Sequence, residues 1–416
     1  MIIRKILKNF ILLSLGQIFS NGIMFFAMIY LAHVIGPESL GKLGFAQVFT
    51  TYFLFSTDIG LVFLGIREIA RDKTKVPIFV DTIISIKITL AIILFIVLLL
   101  VTHAINKTSD IKVLILIYGM VIFSFASALD WFYLAVERVE LTGIVNSLRA
   151  LVYFVLLFCF VKSSRDILKV ALFFLASYLI STIFYFAFAK RLLNYAFKFR
   201  FHFEKWKKTI FAAFPLGILV IFSIFLQQQS ILLLSFLRGL KELGIYYGIY
   251  KIIYIALFAM GLYGDSIYPI LAYTQGKKPL FFSLQLISLV SLPAIIISSI
   301  FGADIIKLIL GKEFIDGVSS FKILVWSIPL TGLTAVFSKA LIAKKHEKKC
   351  IVATFGGLII NTVAGYYLIH RYGLNGAALS YVFSLVFLCL YMGYYAIKIS
   401  DNVLPAKEIV EPQLNI

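Results

Sequence analysis

The chain alternates between long apolar stretches and short polar segments rich in Lys and Arg. A helix needs about 20 apolar residues to cross the hydrocarbon core of a bilayer, so each stretch of that length predicts a transmembrane helix. About twelve such windows occur, at 11–35, 40–66, 78–103, 111–135, 143–162, 168–190, 209–236, 243–270, 280–302, 318–343, 349–370 and 374–398.

Composition agrees with this pattern. Of the 416 residues, 61% are hydrophobic and 14% are charged, whereas soluble domains carry about 25% charged residues. The net charge of +19 does not indicate nucleic-acid binding, because the basic residues lie in short loops between apolar windows. We therefore predict a polytopic, all-α membrane protein with no nucleic-acid partner.

The basic loops also predict orientation. The segments Arg67–Lys75, Lys190–Lys208 and Lys339–Lys349 fall on one side of the predicted membrane, together with the basic N-terminal segment Met1–Phe10. Loops rich in Lys and Arg stay in the cytoplasm, so we expect both termini to be cytoplasmic. The N-terminal segment runs into the first window without a small-residue cleavage site, so no signal peptide is predicted.

The basic segment Lys190–Lys208 divides the windows into two sets of six. We predict an N-terminal six-helix half at 1–190, a cytoplasmic linker at 191–208 and a C-terminal half with a short cytoplasmic tail at 209–416. An even number of helices per half makes the halves parallel, related by a pseudo-two-fold axis along the membrane normal. The cleft between such halves is where transporters hold their substrates.

Two pairs of segments suggest that the halves are repeats. ESLGKLGFAQ (Glu38–Gln47) aligns with KELGIYYGIYK (Lys241–Lys251) through a shared Leu-Gly and a following Gly-aromatic pattern. YLAVER (Tyr133–Arg138) aligns with ALIAKK (Ala340–Lys345), and each leaves a helix toward a basic loop.

Ionisable residues inside predicted membrane helices are expensive and therefore informative. Asp58 and Lys87 lie at similar predicted depths on consecutive helices, which fits either a structural ion pair or a functional role. Arg149 could reach the interface or face a lumen, whereas Lys251 has no obvious acid at its level. If these cations share the cleft, they form a path for an anionic substrate rather than for a cationic drug.

Amide side chains add a polar lining. Gln17 and Asn21 lie four residues apart on one face of the first helix, and three consecutive glutamines, Gln227, Gln228 and Gln229, lie in the middle of the seventh. Such amides join helices or line a water-filled cleft.

Enzyme, metal and nucleotide sites are not predicted. Gly36 and the pair Gly41-Lys42 resemble the start of a phosphate-binding loop, but Leu43 replaces the Ser or Thr that would hold magnesium. The five histidines are scattered, and the three cysteines lie far apart in apolar helices. We expect no cofactor, no metal and no catalytic residue.

Several motifs, in order, resemble one family. In the first part of the chain these motifs are YLAHVIGPESLG, the run that starts at Asp58, and REIAR. Further along, at the expected places, they are LDWFYLAVER, LGIYYGIYKI, GKEF and YGLNGAALS. The chain resembles bacterial polysaccharide (O-antigen repeat-unit) flippases of the multidrug/oligosaccharidyl-lipid/polysaccharide exporter superfamily. It departs from them at Gln227–Gln229, where the family often has an Asp, which weakens any inference of an ion-coupling acid there.

The resemblance implies a flippase of the bacterial inner membrane. Its substrate would be an undecaprenyl-pyrophosphate-linked oligosaccharide, moved from the cytoplasmic to the periplasmic leaflet by alternating access for polysaccharide or lipopolysaccharide biosynthesis. Lys87, Arg149 and Lys251 would contact its anionic groups, Arg67 and Arg71 would stand at the cytoplasmic mouth, and Asp58 would tune Lys87 or sense a coupling ion. Membrane lipids and other polysaccharide-assembly membrane proteins are the expected partners.

Three other functions fit the same pattern. A cation-coupled multidrug antiporter of the same superfamily would need unpaired acids deep in one half, and Asp58 is the only good candidate. A membrane polysaccharide polymerase would be expected to have a large extracytoplasmic loop, and every outer loop is short. A peptidoglycan-precursor flippase is the third.

Overall fold

The computed structural model describes residues 2–72, 76–193, 195–273 and 278–401. These residues form helices joined by short connections, with no strand among them. The helices are α1 (Ile2–Ser56), α2 (Leu61–Arg71), α3 (Val76–Ala104), α4 (Ser109–Ser127), α5 (Asp130–Ala135), α6 (Val139–Phe160), α7 (Ile167–Leu193), α8 (Phe203–Leu237), α9 (Leu240–Tyr273), α10 (Lys278–Ile309), α11 (Val318–Leu324), α12 (Ser327–Ala343), α13 (Glu347–Tyr372) and α14 (Leu374–Asp401). Short 3₁₀ turns occupy Ser164–Asp166 and Lys312–Gly317.

The first helix contains a reversal of the chain. Gly36 has φ 71°, a left-handed conformation that glycine adopts without strain, and Pro37 follows it. Before the reversal, Gly16 packs on Gly143 near the start of α6, and the Tyr30 hydroxyl donates to a carbonyl at the end of α6. Eleven stretches of the described chain are long and apolar enough to cross a membrane, and the first of them therefore holds two spans. The predicted tight turn and the predicted number of about twelve spans are confirmed.

Three predicted windows are interrupted rather than continuous. Window 40–66 breaks between Ser56 and Leu61, window 111–135 breaks between α4 and α5, and window 318–343 breaks between α11 and α12. At the first break Ile59 and Gly60 have positive φ values of 37° and 87°. The Asp58 carboxylate accepts the N–H of Val62 at 3.0 Å and so satisfies a free donor at the start of α2.

The helices form two bundles of six membrane spans, α1–α7 and α8–α14, as predicted. A shared turn relates them. After α5 and after α12 the chain turns through a residue with positive φ, Glu137 at 61° and Lys345 at 62°. In each turn the following N–H donates to the carbonyl five residues earlier, a Schellman arrangement. The equivalent residues are Tyr133 and Leu341, one position away from the alignment predicted from the sequence.

The connection between the bundles is bound to the first one. The buried carboxylate of Asp81 in α3 accepts hydrogen bonds from the Tyr195 hydroxyl at 2.7 Å, the Lys198 N–H at 3.0 Å and the Arg200 Nε at 2.8 Å. Burial, and then the neighbouring carboxylate, hold the pKa of Tyr195 well above its usual value. We call residues 195–200 the strap.

The two membrane faces differ in charge. The strap, the α2 end with Arg67 and Arg71, and Lys339 lie on one side, which we call the basic face. The α3–α4 connection and the start of α9 lie on the other side, which we call the opposite face.

Candidate functional site

The two bundles touch at the opposite face. Lys107, between α3 and α4, donates from Nζ to the carbonyl of Ser235 in α8 at 2.8 Å. The same ammonium lies 5.1 Å from the ring centroid of Phe45 and 5.4 Å from that of Phe236, and the two rings pack edge to face. Gly41 lies directly against the backbone at Leu240. These contacts, which we call the closed end, separate the space between the bundles from the opposite face.

Beneath the closed end lies a cavity of about 280 Å³ between the bundles, which we call the central cavity. Both bundles line it. The first contributes Asn21 and Arg149, and the second contributes Gln228 and Lys251. Two of the predicted intramembrane cations and two of the predicted amides therefore share one cavity.

Aromatic rings hold both cations in place. The guanidinium carbon of Arg149 lies 4.3 Å from the centroid of the Tyr178 ring. The Lys251 ammonium lies 5.0 Å from the Tyr247 ring and 5.7 Å from the Tyr254 ring. Cation–π contacts stabilise a charge without neutralising it. No Asp or Glu is among the described residues that line the cavity, so its positive charges can attract an anion.

A second cavity of about 390 Å³, which we call the basic-face cavity, lies next to the first. Its lining includes Gln17, Gln227 and Asp265. The Asp265 carboxylate is 55% exposed and pairs with Lys339 at 2.5 Å, so this cavity extends to the basic face.

Lys87 and Asp58 lie outside both cavities. Lys87 is 2% exposed, and its ammonium lies 5.2 Å from the ring centroid of Phe125. Within the described part of the chain no direct salt bridge joins Lys87 to Asp58, which was one of the two alternatives that their similar predicted depths left open. The Asp58 carboxylate instead caps α2 through Val62, with the charge of Lys87 close enough to act on it.

The remaining predicted residues are also outside the cavities. Arg67 and Arg71 both contact Glu68, at 3.1 and 3.5 Å, on the exposed basic face. The Gln229 amide donates to the Thr362 hydroxyl of α13 within the second bundle.

Several residues that complete the central cavity were not predicted from the sequence, among them Tyr247, Tyr254 and Gln47. Tyr247 and Tyr254 flank Lys251 at the spacings that place side chains on one helix face, a signal present in the sequence. The Tyr247 hydroxyl also donates to Gln47 of the first bundle, a contact that no local pattern predicts. In the described ranges no group of three or more His, Cys, Asp or Glu residues is placed to hold a metal ion.

Two six-span bundles with a polar cavity between them form an architecture in which transporters place their substrate sites. Solved structures of similar fold agree. The lipid II flippase MurJ in an inward closed conformation has a TM-score of 0.73 at 16% identity, covering 94% of this chain and 90% of that one. An inward-facing multidrug resistance MATE transporter of the MOP superfamily has a TM-score of 0.70 at 14% identity, covering 92% and 96%.

A third structure is a MOP-superfamily transporter from Pyrococcus furiosus Vc1, described as having a binding pocket of reverse polarity. Its TM-score is 0.58 at 14% identity, covering 95% of this chain and 96% of that one. These neighbours are transporters and flippases rather than enzymes, and the fold is that of the multidrug/oligosaccharidyl-lipid/polysaccharide exporter superfamily.

The family model described as "polysaccharide biosynthesis protein" matches residues 6–275. The chain belongs to this polysaccharide biosynthesis family. A search of curated protein sequences found no match.

Proposed function

We propose that this protein is a flippase that moves an undecaprenyl-pyrophosphate-linked oligosaccharide from the cytoplasmic to the periplasmic leaflet of the bacterial inner membrane. The proposal takes the basic face as cytoplasmic, because basic loops are retained there. The observation that carries it is that Arg149 and Lys251 line the same cavity, whose described lining has no carboxylate.

The substrate chemistry fits this cavity. A pyrophosphate carries negative charge and cannot cross hydrocarbon without compensation. Arg149 and Lys251 supply two positive charges from opposite bundles, and the Asn21 and Gln228 amides can hydrogen-bond sugar hydroxyls. A cavity of about 280 Å³ holds the charged head group but not a polyprenyl tail, which would remain in the bilayer.

Alternating access follows from how the bundles contact each other. In this structure the closed end blocks the opposite face while the basic-face cavity extends to the other. A substrate head group that neutralises Arg149 and Lys251 together would bring the charged walls of the two bundles together. Separation of the closed end would then release it toward the periplasm.

The test is transport in proteoliposomes with a fluorescent lipid-linked oligosaccharide. Arg149→Gln and Lys251→Gln are each expected to slow flipping about tenfold or more, because a hydrogen bond to a charged group contributes about 1.5–3 kcal/mol. Lys398→Gln is the matched control, since Lys398 also lies over a tyrosine ring, at 5.7 Å, but outside both cavities.

Three outcomes would contradict the proposal. Wild-type transport rates in both cavity variants would show that Arg149 and Lys251 do not act on the substrate. Equal transport of a lipid with an uncharged linkage would show that the substrate need not be an anion. Preference for a cationic drug or for a peptidoglycan precursor would assign the protein to one of the alternative functions.

A further inference from the structure

One face of α9 runs along both cavities. Tyr247, Lys251, Tyr254, Phe258, Gly261 and Asp265 follow one another at alternating spacings of four and three residues and all line a cavity. Side chains at these spacings share a helix face. Eighteen residues of helix extend about 27 Å, so this face covers most of the distance across a hydrocarbon core.

Two side chains on this face belong to both cavities. Tyr254 and Phe258 line the central cavity and also the basic-face cavity, and they lie one helical turn apart. Lys251 precedes them in the central cavity alone, and Asp265 follows them in the basic-face cavity alone. The two rings therefore stand at the boundary between the cavities.

On α1 and on α8, neighbouring residues also line different cavities. On α1, Gln17 lines the basic-face cavity and Asn21, one turn later, lines the central cavity. On α8, Gln227 lines the basic-face cavity and the adjacent Gln228 lines the central cavity. Three helices from two bundles thus place the boundary at one depth.

The two rings lie at the edge of the packed core. Tyr254 and Phe258 are only half-buried, and Tyr254 packs against the buried core on one side. Tyr254 contacts the Tyr250 ring at 6.2 Å and the Lys251 ammonium, and Phe258 has no aromatic partner in the described chain.

We propose that Tyr254 and Phe258 form an inner gate through which a head group passes from the basic-face cavity to Arg149 and Lys251. This role deepens the proposed function and rests on it for the identity of the head group. Closed, the rings exclude the polar cytoplasmic cavity from the cationic one. Turned aside, they present flat apolar faces on which a sugar ring can slide toward the charges.

The gate is tested without any substrate, by the accessibility of single cysteines in nanodiscs. The native cysteines Cys159, Cys350 and Cys389 are first replaced by Ala. One reporter is Gln17→Cys, in the basic-face cavity, and the other is Asn21→Cys, in the central cavity. The anionic reagent 2-sulfonatoethyl methanethiosulfonate modifies each, and the modification rates are compared.

We expect Gln17→Cys to react at least about tenfold faster than Asn21→Cys, because a gate that opens as a minor state is populated at about 10% or less. Tyr254→Ala with Phe258→Ala should raise the Asn21→Cys rate about tenfold and leave the Gln17→Cys rate within about twofold. An unchanged Gln17→Cys rate also shows that the double variant is folded.

Two controls define the role of the rings. Tyr254→Phe with Phe258→Leu keeps the bulk and should keep Asn21→Cys slow. Tyr263→Ala removes a ring from α9 that lines neither cavity and should change neither rate. Equal initial rates at the two reporters, or no acceleration in the double Ala variant, would overturn the gate while leaving the transport proposal to its own assay.

Discussion

At the scale of single residues, one of the close approaches between the bundles is made by backbone alone. A Cβ placed on Gly217 of α8 would lie 2.1 Å from the carbonyl carbon of Ile59, and one on Gly60 would lie 2.4 Å from the carbonyl oxygen of Ala213. The break between α1 and α2 therefore seats its peptide groups directly on α8. Ile59 tolerates φ 37° there, a conformation that β-branched residues rarely adopt.

Gly217→Ala should consequently separate the two segments. Overpacking of this kind costs about 1–3 kcal/mol, so we expect a lower unfolding temperature in detergent and slower transport. Gly22→Ala is the control, because a Cβ at Gly22 meets nothing within 4 Å, and Ala in a helix interior is favoured over Gly by about 0.5–1 kcal/mol. If both variants unfold at the wild-type temperature, the contact at Ile59 is not as close as described.

At the scale of helices, the sequence predicted the spans but not their interruptions. The windows were recognisable because about 20 apolar residues are needed to cross a bilayer. The breaks at Thr57–Gly60 and after Ser127 were not, because an apolar run reads the same whether the helix is continuous or bent. Asp58 was predicted on a continuous helix, either as an ion-pair partner of Lys87 or as a residue that senses a coupling ion. Its carboxylate instead caps α2, because the break leaves the first N–H groups of that helix without partners.

The end of α8 depends on a residue from the other bundle. The last carbonyls of a helix lack partners within it and carry partial negative charge. Lys107 supplies an ammonium to the Ser235 carbonyl near this end, so the second bundle is capped by the first. Opening the closed end must break this cap.

Lys107→Met should shift the bundles toward separation at the opposite face. A hydrogen bond to a charged group contributes about 1.5–3 kcal/mol, so the ratio of open to closed should rise about tenfold. Spin labels can be attached at Asn106→Cys and Lys241→Cys, which are both exposed near the closed end. Double electron–electron resonance should then show an additional, longer distance between the two labels.

Lys112→Met serves as the matched variant, because Lys112 donates to the His103 carbonyl within its own bundle. It should leave the distance distribution unchanged. An unchanged distribution in Lys107→Met would mean that the ring contacts alone hold the closed end.

At the scale of the whole molecule, the site was only partly readable from the sequence. Charged residues in membrane spans are rare enough to be found by inspection, and Arg149 and Lys251 were found in that way. Hydropathy does not report which way a side chain faces, so Lys87 could not be distinguished from Lys251. That Arg149 and Lys251 line one cavity depends on how the two bundles meet, which no sequence pattern within either bundle predicts.

The distribution of charge over the molecule predicts its orientation. Asn106→Cys at the opposite face should be labelled by an impermeant maleimide in intact cells, whereas Lys205→Cys beside the strap should be labelled only after permeabilisation, because basic segments stay cytoplasmic. The native cysteines are replaced by Ala in both cases. The reverse labelling pattern would invert the orientation and with it the proposed direction of transport.

The three consecutive glutamines of α8 have a consequence for which changes of length this protein tolerates. Gln227 faces the basic-face cavity, Gln228 the central cavity and Gln229 the Thr362 hydroxyl of α13. Each step along a helix turns the side chain by about 100°. Deleting one residue just before them would move Gln229 to the position of Gln228, Gln228 to that of Gln227, and Gln227 to that of the buried Leu226. The polar lining of both cavities therefore depends on the length of α8 before Gln227.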